Sequence, residues 1–262
     1  MALSAHEVCL EYPVYGIAAR SLRRAVVRGL SVGGRMGQDH NMVVVRALNG
    51  VTFTLNEGDR LGLMGHNGSG KSSLLRTLAG IYKPTSGHID SSGAVISTFF
   101  DVGLGLDVEA TGRENIFLLG MYRGKTYAEI KAAFEGIVEF SGLGSFIDLP
   151  IKTYSSGMIG RMMFSVATAF QPDILLMDEW LSTGDAEFMI KAEERILELV
   201  TKARAMVFAS HAPDLIRRFC NRLLVLHHGE VLHFGETSEV LEAMSAAPYV
   251  VEQLGSEVVP GS

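Results

Sequence analysis

Between a short apolar run, Arg60-Leu61-Gly62-Leu63-Met64, and a run with helical spacing, Ser72 to Leu78, the chain places Gly65-His66-Asn67-Gly68-Ser69-Gly70-Lys71-Ser72. This fits G-x-x-x-x-G-K-[ST], a spacing whose chemistry is phosphate binding. Glycines there let backbone N–H groups curl round phosphate oxygens, while the start of the following helix adds its partial positive charge. Lys71 is expected to bridge β- and γ-phosphates, and the Ser72 hydroxyl to hold Mg2+; residues 65–73, Ser73 included, form the candidate phosphate cradle. Downstream, Ile174-Leu175-Leu176-Met177 leads into Asp178-Glu179, as expected of a buried strand emerging at its C-terminal edge, where open α/β sheets bind ligands. Asp178 is placed to support the Mg2+ shell, and Glu179 to polarise a water in line with the γ-phosphate.

These groups need a scaffold, and the pattern supplies one. Residues 60–64, 174–177 and 205–209 read as apolar strands separated by helical segments, which indicates a mainly parallel sheet covered on both faces. Residues 42–55, MVVVRALNGVTFTL, are rich in β-branched side chains and suggest two strands joined by a turn at Asn49-Gly50. From about 112 to 171 the strand signal gives way to helical patterns, including Tyr127 to Phe140 with Ile130, Phe134, Ile137 and Val138 on one side. A helical insertion into an α/β core accounts for this. Arg222 to Phe234 reads as two short strands about His228-Gly229-Glu230, followed by a last helix.

Composition narrows the field. With 262 residues and 47% hydrophobic content the chain can bury a sizeable core, which excludes disorder. A net charge of −6 removes the general basic surface expected of a nucleic-acid binder, so no nucleic-acid partner is expected. No run of about 18 apolar residues and no signal-peptide pattern at Met1 is visible. Cys9 and Cys220 are expected to be reduced thiols, with no disulfide.

Three further stretches carry a resemblance. Tyr154-Ser155-Ser156-Gly157-Met158 precedes Asp178 and resembles the signature motif of ATP-binding cassette (ABC) proteins, in the variant found in polysaccharide exporters. Ser182-Thr183-Gly184-Asp185 resembles the D-loop of that family, and Ser210-His211 its switch histidine. The resemblance covers roughly residues 7–240. It implies an α/β fold: a P-loop ABC ATPase with a mainly parallel core sheet, an antiparallel β sub-sheet and an inserted helical subdomain. It also implies ATP and Mg2+ as ligands and a homodimer in which the signature segment of one copy meets the γ-phosphate held by the other, with His211 sensing that phosphate. The start of a helical run at about Met158 gives the signature its own anion-binding end.

Family members stack adenine on an aromatic of the N-terminal strand; Tyr12 is the first choice and Tyr15 the second. The family's usual glutamine in the loop after the second sub-region is missing, and Thr98 to Gly103 stands there instead, with Asp101 as the candidate for its place beside Mg2+. Residues 16–38 carry Arg20, Arg23, Arg24, Arg28 and Arg35 and no acid up to Gln38. Such a segment suits an anionic lipid surface, at about 1 kcal/mol per basic residue, or the cytoplasmic loops of a membrane partner, or is simply a solvated face. The extension that exporters of this type often carry before the P-loop favours the partner. His227, His228 and His233 suggest metal, but adjacent histidines on a hairpin are expected to point to opposite faces, so zinc is set aside.

The expected organisation is therefore an ABC ATPase domain over 1–245, with a basic N-terminal extension at 16–41 and a helical subdomain at about 112–171, and a short tail at 246–262. The resemblance implies an ATP-hydrolysing subunit at the cytoplasmic face of the inner membrane. Its partner is an integral membrane permease on a separate chain, through which lipid-linked polysaccharide moves, O-antigen first and capsule or teichoic acid next. The tail is too short for the carbohydrate-binding domain that some exporters append, so the permease or the lipid is expected to recognise the polymer. The rivals are an exporter of another substrate, a soluble ABC ATPase of translation or DNA repair, which would usually carry two cassettes or a coiled-coil insertion, and a small-molecule P-loop kinase, which would not explain Tyr154 to Met158.

Overall fold

The computed structural model describes residues 1–14, 35–39, 42–99, 105–178 and 186–246. Tyr15, most of the basic stretch, Asp101, Glu179, Ser182, Thr183, Gly184, Asp185 and nearly all of the tail lie outside the described residues.

In chain order the elements begin with strands β1 (Leu3–Val14), β2 (Arg35–Asp39), β3 (Met42–Leu55) and β4 (Arg60–Met64), helix α1 (Lys71–Leu78), then β5 (Ser86–Asp90) and β6 (Ile96–Thr98). Helices α2 (Gly112–Tyr122), α3 (Tyr127–Ser141) and α4 (Ser156–Thr168) follow, then β7 (Ile174–Asp178), α5 (Ala186–Lys202) and β8 (Ala205–Ala209). The order ends with α6 (Pro213–Phe219), β9 (Arg222–His227), β10 (Glu230–Glu236) and α7 (Thr237–Ala246).

The chain forms two compact units. The first comprises Met1–Ala94, Met177–Glu179 and Arg204–Ser262. Within it β4 lies between β8 and β9 and is parallel to both, while β10 pairs antiparallel with β9. Leu61, Leu63, Ala205 to Ala209 and Leu223 to Leu226 are all fully buried, as strands covered on both faces must be. Gly62 admits α6 close to β4, because a Cβ there would stand 2.9 Å from an Ile216 methyl. The antiparallel sheet runs β2-β3-β1-β5.

In this sheet one expectation fails. Residues 42–55 form a single strand, not two joined by a turn at Asn49-Gly50. Gly50 does take the left-handed φ of 67°, but Glu7 on the facing strand takes φ 49°, and the β1–β3 register shifts between Ala5 and Val8, beside Glu7, and again between Val8 and Leu10, opposite Asn49-Gly50. Both strands kink together, so Gly50 marks a bulge and its N–H donates to Cys9 Sγ. Both cysteines are free thiols, and burial pushes the Cys220 thiol up to about 12, which keeps it protonated at neutral pH.

The second unit comprises Val95–Leu176 and Trp180–Ala203. It holds the parallel pair β6–β7 and the helices α2 to α5. Capping boxes start α2 (Thr111 with Glu114) and α3 (Thr126 with Glu129), and Gly142, at φ 64°, ends α3. The expected face of α3 is the buried one: Ile130, Phe134 and Ile137 join Ile116, Leu119, Ile151, Tyr154 and Met162 in one apolar cluster, with Val138 packed against it. A Cβ on Gly120 would stand 2.6 Å from Ile130, so α2 and α3 meet at bare backbone. No helix among the described residues is long and apolar enough to cross a membrane.

Candidate functional site

The loop between β4 and α1 is built by close approach. Gly65, at φ 151°, lies where a Cβ would be 2.3 Å from the Leu226 carbonyl oxygen, and Gly70, at φ 111°, where one would be 2.7 Å from that of Ala47. Gly68 also has positive φ, at 78°. Only glycine takes these conformations without strain, and only glycine leaves room for the neighbouring carbonyls. Gly70 is the N-cap of α1 and provides no side-chain cap, so the first N–H groups of the helix point into the loop without a local acceptor from the cap. That is the condition for anion binding at a helix start.

Each expected cradle residue has a defined place. Lys71 is buried, and its Nζ donates to the carbonyls of Gly65 at 2.7 Å and His66 at 3.2 Å, which lays the ammonium across the loop. Ser69 is fully buried; its N–H donates to His66 O, and its Oγ has no hydrogen-bond partner among the described residues. Asn67 and Gly68 are exposed at the loop's tip. Ser73 meets Tyr12: burial raises the Tyr12 phenol above its ordinary pKa, and the hydrogen bond with the Ser73 side chain pulls the other way. Tyr12 also stands edge-on to Tyr82, with ring centroids 5.6 Å apart.

Ser72 Oγ donates to Asp178 Oδ2 at 2.7 Å, both residues lying in the first unit. A hydroxyl and a carboxylate this close are hard oxygen donors with a separation near the edge of about 3 Å in an Mg2+ octahedron, so the pair fits that cation. His211 follows Ser210 at the C-terminal end of β8 and is exposed. Because β8 runs parallel beside β4, with Ala209 opposite Leu63, His211 and the glycine loop leave the sheet at the same edge. The structure thus brings together residues 65–73, Asp178 and Tyr12 in the first unit and sets His211 on the loop's side of the sheet.

The residues expected to form the signature, Tyr154 to Met158, belong to the second unit. Ser155 is the N-cap of α4 and its side chain accepts a hydrogen bond from the Met158 N–H. Ser155 and Ser156 are exposed, and a Cβ on Gly157 would meet nothing nearer than 3.9 Å. Tyr154 turns inward instead: it is 8% exposed, and its hydroxyl donates to Phe146 O at 2.6 Å. It props the segment from beneath while the next residues face solvent. One cluster the sequence did not suggest also appears in the first unit, where His66 of the loop meets His227 and His228.

Comparison with known proteins agrees with this arrangement. A family model described as ABC transporter matches residues 48–182. The O-antigen export system ATP-binding protein RfbE of Yersinia enterocolitica is 47% identical over 235 residues, covering 89% of this chain and 97% of its own. The teichoic acids export ATP-binding protein TagH of Enterococcus faecalis is 40% identical over 200 residues; the match covers 76% of this chain and 44% of that longer protein. Among solved structures, an ATP-binding subunit of an ABC transporter superposes with a TM-score of 0.70 at 20% identity, covering 97% of this chain and all of that one. A dimeric ATP-binding cassette with ADP and Pi superposes with a TM-score of 0.64 at 21% identity, covering 90% and 98%, and supports the fold alone. With its family model, its relatives and its fold in agreement, the chain belongs to the ABC transporter family as an ATPase cassette.

Proposed function

We propose that this chain is the ATP-hydrolysing subunit of an exporter that moves lipid-linked polysaccharide, O-antigen first, across the cytoplasmic membrane. It works as a homodimer on the cytoplasmic face, docked to an integral permease on a separate chain. The observation that carries this reading is the 47% identity, over almost the whole of both chains, to an O-antigen export ATP-binding protein. In this reading residues 1–245 are the cassette, about 112–171 its helical subdomain, and the basic extension at 16–41 faces the permease.

The mechanism follows from the groups described. Arriving phosphates take the N–H groups at the uncapped start of α1, and Lys71 exchanges the carbonyls of Gly65 and His66 for β- and γ-phosphate oxygens. Ser72 and Asp178 would hold Mg2+, which would supply positive charge against that of the phosphates. Tyr12, or Tyr15 after it, stacks the adenine. Glu179 takes the proton of the attacking water as its oxygen bonds to the γ-phosphorus and the bond to the β-bridging oxygen breaks; ADP and inorganic phosphate leave. His211 contacts the γ-phosphate from the strand edge, and residues 154–158 and 182–185 of the second copy close the site. Asp101 takes the place of the absent glutamine.

The test is ATPase activity of the subunit co-purified with its membrane partner, with and without lipid-linked O-antigen glycan. Glu179→Gln is expected to keep ATP binding, lower turnover by about 10²–10⁴-fold and accumulate a closed dimer. Full turnover in that variant overturns the base, and stimulation by a teichoic acid precursor but not by O-antigen glycan overturns the substrate.

A further inference from the structure

The β9–β10 connection is a two-residue hairpin turn, since His227 pairs with Glu230 across it. Its central residues have φ 47° at His228 and 81° at Gly229. Turns of this kind ask for Asn, Asp or Gly at the first central position, because a left-handed residue with a larger side chain is strained by about 1 kcal/mol. The left-handed backbone of His228 also breaks strand alternation, so His227 and His228 do not diverge as adjacent strand residues would; their ring centroids are 4.3 Å apart.

His66 of the phosphate loop completes a triangle, with ring centroids 5.2 Å from His227 and 4.7 Å from His228. One ligand nitrogen from each of the three rings can be chosen so that all lie within 4.8 Å of one another. The His66 ring is held in a definite tautomer: Nδ1 lies 2.8 Å from the Asn67 carbonyl oxygen, which can only accept, so Nδ1 carries the proton. Its Nε2 is left as a lone pair, buried and with no hydrogen-bond partner among the described residues. An imidazole that donates one N–H to a backbone carbonyl and presents the other nitrogen as a lone pair is arranged as metal-ligating histidines are.

We propose that His66, His227 and His228 form a site for a late first-row divalent cation, zinc first, with water as the fourth ligand. Imidazole nitrogens favour zinc, cobalt, nickel or copper over Mg2+, which takes oxygen donors. Zinc–nitrogen bonds of about 2.0–2.1 Å in a tetrahedron need nitrogens about 3.3 Å apart, so loading closes the triangle by at most about 1.5 Å, within reach of ring rotation. His233 takes no part; it pairs with Val225 farther along the hairpin. The turn and the phosphate loop are already joined where the Gly229 N–H donates to Ser69 O at 2.8 Å, and the cation adds a second clamp at the loop's first turn.

The test uses the full, untagged chain, stripped with a chelator and titrated with Zn2+ by calorimetry and with Co2+ by visible absorption, in the absence of nucleotide. One saturable equivalent of Zn2+ is expected, with a Co2+ spectrum of tetrahedral intensity and no displacement by excess Mg2+. His228→Asn, which the left-handed turn accepts, and His227→Gln are each expected to weaken Zn2+ binding by at least about tenfold and to change the Co2+ spectrum. Absence of saturable binding, displacement by Mg2+, or wild-type affinity in both variants overturns the site. Because no nucleotide or permease is present, these outcomes are separate from those that test export.

Discussion

Helices α1 and α4 both begin on residues proposed above to meet phosphate, and they begin in opposite ways. At α1 the N-cap is a left-handed glycine with no side chain to offer, the first helical residue is a buried lysine, and carbonyls from other strands stand where Cβ atoms would be. At α4 the N-cap is a serine in extended conformation whose side chain satisfies the Met158 N–H, and it and Ser156 are exposed to solvent. The first end is held by the fold and left incomplete for a ligand. The second completes itself and keeps space in front of it. A self-capped end is satisfied in water alone, as the proposed contact with a second copy requires, whereas an uncapped one requires surroundings that fix it.

The contrast can be broken by substitution. Gly70→Ala should have the largest effect, costing at least about 2 kcal/mol, since it meets both a left-handed φ and the Ala47 carbonyl; denaturant unfolding measures the loss and nucleotide titration the accompanying loss of binding. Lys71→Ala removes a charge-assisted contact worth about 1.5–3 kcal/mol, so ATP affinity should fall about ten- to a hundredfold in equilibrium binding. Ser155→Ala deletes a side-chain cap and should lower unfolding free energy by about 1 kcal/mol, with ATP affinity of the isolated chain unchanged. Gly157→Ala should be the smallest in stability, neutral or up to about 1 kcal/mol stabilising, because the added methyl meets open space on a helix. Its turnover with the permease should nevertheless fall. A destabilised Gly157→Ala chain, or a Gly70→Ala chain that binds nucleotide normally, would erase the distinction between the two ends.

What could be read from the residues was what short segments determine by themselves. The glycine loop, its strand and its helix were legible because left-handed glycines, the lysine and the hydroxyl are neighbours in sequence, and the contact between Ser72 and Asp178 followed from where buried strands end. The misjudged turn at Asn49-Gly50 shows the limit. A left-handed glycine serves a turn or a bulge equally, and the choice was made by Glu7 and Cys9 on the facing strand. Likewise the histidine triangle needed two facts that local pattern does not carry: the backbone of His228 and the folding of the hairpin turn against the phosphate loop. The inward turn of Tyr154 was hidden for a similar reason, since its partner Phe146 sits in a short helical turn of the second unit.

That tyrosine has a reach beyond its own motif. A Cβ on Gly112, the first residue of α2, would stand 2.3 Å from the Tyr154 hydroxyl, so one small volume is shared between two positions far apart in the chain. The pair has a direction of permitted change: a residue without the hydroxyl at 154 removes the nearest obstacle to a methyl at 112, whereas the methyl arriving first collides with that hydroxyl. The stability effects of changes at 154 and at 112 are therefore expected to be non-additive.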